Sequence, residues 1–437
     1  MSEKNTEWYG TLPKNWSTPK MSYICNTITD YTASGSFASL AENVIYRDTE
    51  DYAMLVRTAD LSRKRDINPV FIDEKAYNFL NNSNLFGGEL IMSNVGSVGD
   101  VYLYEPLYKK ASLAPNAIMV RANGYEKFLF YLFSTKQAVE GLLSITNTTT
   151  QPKFNKTQLR SFRVPFPNQL IMEKIVKHLD KKTEQIEDIE NTINKEIENL
   201  ENYKKSLITE AVTKGLDKNV LMKDSGIDWI GEIPIDSKIV RLKHLVSRNI
   251  TDGTHQTPDY EDEDKGYPFL SSKDITKGYI DWSDIKYITK NLHKKLQSET
   301  KVERNDILLA KNGTTGIAAI IDTDKVFDIY VTLALIRPNT KLINPRFLLY
   351  SINSSNSKKQ FDEHLVGIGV PNLHLNLIKN TFIIIHSLDE QKRISAYLDY
   401  KFKIIDETIS LKQKQLHTLE EYKKSLIYEY VTGKKEV

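Results

Sequence analysis

From Leu170 to Thr213 the chain runs without glycine or proline, and apolar residues return at intervals of three or four: Leu179, Ile186, Ile189, Ile193, Leu200, Tyr203, Leu207. That period predicts one long amphipathic helix with a coiled-coil-like seam. About 45 residues at 1.5 Å each would reach ~65 Å. Polar Lys182 and Glu196 interrupt the seam, so imperfect packing of two or three helices is expected rather than a regular zipper. A second such helix is predicted from about Leu388, with Leu398, Ile405, Ile409, Leu416, Leu419, Tyr422 and Leu426 on its apolar side. Neither stripe can remain in water at that length. Two equivalent helices in one chain most simply pack on each other, and copies facing each other about a twofold would run antiparallel.

Between the helices the texture changes. Aromatic and β-branched runs such as Asp100–Tyr108 and Ala318–Ile336 are broken by Gly, Asn and Pro, which predicts strand-rich globular domains. The expected fold class is therefore α+β: two pseudo-twofold-related globular mixed α/β domains separated by two long antiparallel coiled-coil-like helices. The expected segments are 1–167, 168–215, 216–387 and 388–437.

The two halves are copies. LENYKKSLITEAVT at Leu200–Thr213 and LEEYKKSLIYEYVT at Leu419–Thr432 match at 11 of 14 positions with an offset of 419 − 200 = 219. The same offset holds without a gap back to Pro152 and Pro371, and EWYGTLP at Glu7–Pro13 answers DWIGEIP at Asp228–Pro234 at an offset of 221. A period above 200 residues is too long for a solenoid and reads as a duplicated domain. The first helix leads into the second domain where DWIGEIP stands, so the end of the second helix is expected near the start of the chain, closing a circularly related molecule.

Composition narrows the function. There are 59 basic and 57 acidic residues, a net charge of +2, so no global field draws the chain to nucleic acid and any basic surface must be local. No apolar run of membrane-spanning length and no signal-peptide core are present, which makes no membrane partner and a cytoplasmic location the expectation. The single cysteine, Cys25, is expected to be a small buried residue, and the eight histidines lack zinc-ligand spacing.

Both globular segments contain an aliphatic run followed by Gly-x-x-Gly, GELIMSNVGSVGDV at Gly88–Val101 and NDILLAKNGTTGIA at Asn305–Ala318. The simpler interpretation is a strand entering a tight turn; the functional one is a backbone loop approaching a phosphate. Around these turns and in two other paired segments, the side chains that differ between halves are candidates for base or phosphate contact. In the first half they are Ser36, Arg57, Arg63, Lys64, Ser93, Asn94 and Ser97; in the second, Thr254, His255, Lys273, Lys311, Asn312, Thr314 and Thr315. Each basic residue taken singly is more often solvated than functional. PDYEDEDK at 258–265 mimics a nuclease core, but its acids are too close together to sit on two adjacent strands. A Walker A loop, a Rossmann fingerprint and an Asn-Pro-Pro-aromatic tetrapeptide are all missing from the sequence, so the chain is expected to be non-catalytic.

The strand-turn segments ELIMSNVGSVG and DILLAKNGTTG, the helix entries QLIMEKIVKHLD and LDEQKRISAYLD, and the two helix ends together resemble the specificity subunit of a type I restriction-modification system over almost the whole chain. The resemblance implies two target-recognition domains, each reading one part of a bipartite asymmetric target in double-stranded DNA. It further implies docking of two modification (methyltransferase) subunits and, through them, restriction (ATP-dependent translocase/nuclease) subunits. S-adenosylmethionine, ATP and magnesium would belong to those partners, and this chain would bind no cofactor or metal. The entry NQLIMEK departs from the acidic-Gln pattern that DEQKR keeps. Under this resemblance, positions at which the halves agree are frame or docking surface: Tyr203, Lys204, Lys205 and Leu207 with Tyr422, Lys423, Lys424 and Leu426. The alternative is a non-catalytic coiled-coil adaptor holding two protein-binding domains, which salt-dependent binding to one specific duplex would distinguish.

The helix pair is expected to act as a ruler. Inserting the same four residues near Glu196 and near Gln415 adds about 6 Å, between one and two base pairs at ~3.4 Å each, while roughly keeping the apolar faces aligned. Methylome sequencing of an active double-insertion variant should return the same two half-sites with a longer gap. The original gap would show that the helices do not set it.

Overall fold

A computed structural model describes residues 8–62, 68–146, 152–363 and 372–437. The two periodic stretches form helices Gln169–Lys214 and Leu388–Val431, of 46 and 44 residues. No helix among the described residues is long and apolar enough to cross a membrane. The chain divides into two compact units, Met1–Thr192 with Lys414–Val437, and Ile193–Gln413. Each boundary falls inside a long helix, so each unit owns one globular domain and a segment of both helices.

In the first unit a four-stranded antiparallel sheet runs in the order Thr27–Asp30, Ala117–Arg121, Leu90–Ser93, Val101–Leu103. Its central strands are apolar at nearly every position because both faces are covered. Leu90, Met92, Ile118 and Val120 enter one core with Phe128, Leu132, Phe133 and Leu142 of the following helices. Ile91, Ala117 and Met119 point the other way, into a core shared with Met54, Val56 and Leu113 of a second sheet. Alternation along a strand thus serves two cores at once. That second sheet has the order Phe71–Ile72, Ala53–Val56, Ala111–Leu113, Asn84–Leu85, with Ala53–Val56 and Ala111–Leu113 parallel.

The second unit repeats the plan. Its first sheet runs Thr251–Asp252, Leu333–Ile336, Ile307–Ala310, Ala318–Ile320. Ile307 and Leu309 enter the helix-side core, and Leu308 and Ala310 enter the other. Its second sheet runs Tyr260–Glu261, Lys286–Ile288, Tyr267–Leu270, Asp328–Ile329, again with one parallel pair at Tyr267–Leu270 and Asp328–Ile329. The halves diverge at the edges. The fourth strand is added beside the parallel partner in the first unit and on the opposite edge in the second.

The helix segments within each unit run antiparallel. In the first, Lys423 Nζ meets Glu187 Oε1 at 2.8 Å while the His178 ring lies tilted against Tyr430 with centroids 4.6 Å apart; in the second, Lys412 meets Glu196 and Lys204 meets Asp406, both at 2.6 Å. Residue numbers rise on one helix as they fall on the other. Lys412 takes the position seven residues after Ile405 where the seam would call for an apolar side chain, and it turns to Glu196 instead.

The duplicated helix ends are core, and this corrects part of the docking expectation. Leu426, Ile427, Tyr430 and Val431 are buried with Met172, Ile175, Leu179 and Ile186 in the first unit. Leu207, Ile208, Ala211 and Val212 are buried with Ile394, Leu398 and Ile405 in the second. Leu207 and Leu426 are 7% and 3% exposed, so neither presents a surface to a partner. Lys204 and Lys423 are held by Asp406 and Glu187 across the helix pair. Tyr203, Lys205, Tyr422 and Lys424 remain on the surface, the last paired with Glu421 at 2.8 Å. The departure at the helix entries has a local meaning too. Gln391 is fully buried and bonds Asn344 N, Leu342 O and His386 O, whereas Met172 fills the matching place with an apolar side chain.

Leu426→Ala should destabilise the first unit and Leu207→Ala the second, each by about 2–4 kcal/mol, because each leaves a cavity in a packed core. Amide hydrogen exchange should show protection lost mainly in the affected unit. Tyr203→Ala and Tyr422→Ala, at half-exposed positions, should change stability by no more than about 0.5 kcal/mol; equal losses from all four would contradict this assignment.

Candidate nucleic-acid interface

In the first unit, Asp30 stands opposite Ile118 and Ser93 opposite Ala117, so the end of the first strand and the start of the Gly-x-x-Gly turn lie at one end of the sheet. Asn94 N donates to Asn116 O at 3.2 Å and Ala114 N to Val56 O at 2.8 Å. The second sheet therefore ends at the same place, with Arg57 immediately after it. Asn94 Nδ2 also donates to Phe154 O at 2.9 Å, which draws in the segment leading to helix Lys156–Ser161. From that helix, Lys156 Nζ reaches Asp30 Oδ1 at 2.8 Å, and Thr32 Oγ1 donates to the same oxygen at 2.7 Å.

The second unit gathers the equivalent segments. Asp252 stands opposite Ala334, and Ala310 opposite Leu333. Lys311 N donates to Thr332 O and Leu373 N to Lys311 O, both at 2.8 Å, and Ser272 N donates to Thr332 Oγ1 at 3.0 Å. Here Asp252 Oδ2 is bound by Lys311 Nζ, while His255 Nε2 lies 3.3 Å from Oδ1.

The Gly-x-x-Gly turns are explained by backbone and packing. Gly96, Gly99, Gly313 and Gly316 have φ of 77°, 97°, 74° and 84°, the left-handed region that glycine enters freely. A β-carbon on Gly99 would stand 2.7 Å from Val139 Cγ2 and one on Gly316 3.1 Å from Phe361 Cδ2. A β-carbon on Gly96 would meet nothing within 4 Å and one on Gly313 only Ser272 Oγ at 3.9 Å, an ordinary contact, so only φ requires glycine at the first position of each pair.

The candidate side chains fall into two groups. Committed to the fold are Arg57, which forks onto Asp60 at 2.6 and 3.0 Å and donates to Asn68 O at 2.7 Å, and whose pKa is raised mainly by the hydrogen bond to Asp60. Ser93 and Asn94 are buried. Lys311 is buried against Asp252. Lys273 donates to Asp284 O and Oδ2 at 2.7 and 3.0 Å, the hydrogen bond that raises its pKa. Presented to solvent are Ser36, which caps helix Phe37–Asn43 by accepting from Ser39 N, and Ser97, His255 and Thr314. Thr254, Asn312 and Thr315 are half-buried. Arg63 and Lys64 lie outside the described residues. Cys25 is half-buried, and burial pushes its thiol up to about 12, so it stays protonated at neutral pH.

Asp30, Thr32, Lys156 and Asp252 were not among the residues singled out from the sequence, although a signal existed. Ile-Thr-Asp-x-Thr occurs at Ile28–Thr32 and again at Ile250–Thr254, an offset of 252 − 30 = 222. Read as a turn, it hides a strand end carrying an acid.

The family model for the type I restriction modification DNA specificity domain matches twice, over residues 13–199 and 234–421. The chain is 26% identical over 353 residues to the type I restriction enzyme MjaVIII specificity subunit of Methanocaldococcus jannaschii, covering 79% of this chain and 78% of that one. It is 25% identical over 299 residues to the EcoBI specificity subunit of Escherichia coli, covering 66% and 61%. Among solved structures, a chain from work on complex assembly and conformational transition of the type I R-M system superposes with a TM-score of 0.68 at 16% identity, covering 97% of this chain and all of that one. The HsdS subunit from Thermoanaerobacter tengcongensis gives 0.50 at 15%, covering 97% and 98%. The two family matches fall on the two copies of the sequence repeat, and the chain belongs to the type I restriction-modification DNA specificity family as a specificity subunit with two recognition domains.

Proposed function

We propose that each unit reads one part of a bipartite duplex target through the sheet end described above, that two modification subunits dock on the helix pair, and that methylation and cleavage are performed by partner subunits. What carries the reading is the combination of a repeated frame with unrepeated surface at one place. Both units bring a strand-end aspartate, a Gly-x-x-Gly turn and the loop after the parallel strand together. The exposed groups differ: Ala33 and Ser97 in one, His255 and Thr314 in the other. Different donors and acceptors at equivalent points are what reading two unlike half-sites requires. The chain itself would bind no S-adenosylmethionine, ATP or magnesium, leaving those to its partners, and would work in the cytoplasm.

The docking surface is narrowed to what remains exposed near the helix ends, Tyr203 and Lys205 in one copy and Tyr422 and Lys424 in the other. Single exposed charges contribute little. Reversing Lys205 and Lys424 together while changing both tyrosines to Ala should reduce co-purification of the modification subunit by roughly tenfold, about 1.4 kcal/mol. Undiminished co-purification would move the docking surface elsewhere.

The purified chain alone should transfer no methyl group, and addition of its modification subunit should produce adenine methylation at one split sequence. Replacing the second unit's domain with that of a relative should change one half of the target and leave the other. Methylation by the chain alone, or a change in both halves, would overturn the proposal.

A further inference from the structure

We infer that Asp30 reads an exocyclic base amino group in the half-site of the first domain, and that Asp252, its counterpart, instead positions His255 as the reader of the second. The inference rests on the proposal that this end of the sheet faces DNA.

Both aspartates occupy the same place, the end of the first strand in Ile-Thr-Asp-x-Thr, and differ in what is left over. In Asp30 the two hydrogen bonds, from Lys156 Nζ at 2.8 Å and Thr32 Oγ1 at 2.7 Å, converge on Oδ1. Oδ2 accepts none among the described residues, and the side chain is 18% exposed. A carboxylate facing phosphates is repelled unless a cation neutralises it. Lys156 supplies the cation, and the remaining lone pairs can only accept. In the major groove the donors that fit are cytosine N4 and adenine N6.

Asp252 has no such oxygen to spare. Lys311 holds Oδ2 and His255 engages Oδ1 at 3.3 Å. Lys311 is 8% exposed, whereas the His255 side chain is 73% exposed. The group offered to DNA is therefore the imidazole, with the acid behind it fixing its direction. The first reader is an acceptor and the second is a ring steered by an acid, so the two half-sites differ in kind at equivalent positions.

The test uses the chain assembled with its modification subunit, read by methylome sequencing and by competition binding to duplexes varied one base pair at a time. Asp30→Asn should reduce discrimination at one position of the first half-site by roughly tenfold, at a base pair where the parent requires cytosine or adenine, and leave the second half-site intact. Lys156→Gln keeps the carboxylate and should weaken binding without changing the preferred base. His255→Ala should relax one position of the second half-site, and Asp252→Asn should relax the same position. An unaltered motif in active Asp30→Asn, or a changed base preference in Lys156→Gln, would overturn the assignment of Asp30. Unlike effects of the Asp252 and His255 variants would overturn the positioning role. Ser97→Glu and Thr314→Glu check the underlying placement: if neither lowers affinity, the sheet end does not face DNA and both readings fall. If they do and Asp30→Asn changes nothing, only this inference fails.

Discussion

An amphipathic helix of 46 residues must cover its apolar stripe along its whole length, and in this chain each long helix divides that task between two compact units. Its first part lies under its own half's domain, as Met172, Ile175 and Leu179 do, while its last turns are buried in the other unit. A fully buried Leu or Ile is worth about 1.5–3 kcal/mol relative to exposure, so the four apolar residues of each helix end supply a large share of the margin of a typical domain. Neither domain is complete without the other half's helix end. That dependence explains why the closest agreement between the two copies falls on those ends: two equivalent core grooves demand the same Leu-Ile-x-x-x-Val spacing.

The same packing decides where function can sit. The central strands Leu90–Ser93 and Ile307–Ala310 have cores on both faces, so no position along them can change polarity without leaving a buried polar group unpaired. Polar chemistry is confined to strand ends and the turns beyond them. The turns are held in turn by backbone hydrogen bonds, such as Asn94 N to Asn116 O and Lys311 N to Thr332 O, which specify no side chain. Side chains there can diverge while the frame stays still.

The large features were legible because they are periodic or repeated. The helices Gln169–Lys214 and Leu388–Val431 follow from a 3.6-residue stripe without breakers, and the duplication follows from offsets near 219. The candidate site was legible only in part, because burial and pairing are tertiary facts. Lys311 and Asp252 stand 59 residues apart in sequence, so a lysine that looked free is neutralised by an acid that looked like part of a turn. Arg57 is taken by Asp60 three residues on, a pairing visible in the sequence but indistinguishable there from two solvated charges. Leu207 and Leu426 are alike in the two copies because they fill equivalent cores, and identity between copies alone cannot separate a shared core from a shared partner.

The two strand-end aspartates show how a duplicated reader can change without disturbing its frame. A half-buried carboxylate needs a cation nearby, but the frame does not dictate which element delivers it. In the first unit the lysine is the first residue of helix Lys156–Ser161; in the second that place is Leu375, the first residue of Leu375–Asn380. Conversely, Lys311 follows the strand Ile307–Ala310 where the first unit has Asn94 after Leu90–Ser93. Exchanging the source of the cation moves positive charge from one side of the acid to the other. The backbone hydrogen bonds around it keep their pattern, but Asp30 keeps Oδ2 open while both oxygens of Asp252 are engaged, by Lys311 and His255. Two substitutions of that sort alter which donors and acceptors this end of the sheet presents, at little cost to the fold, because neither touches the doubly covered strands.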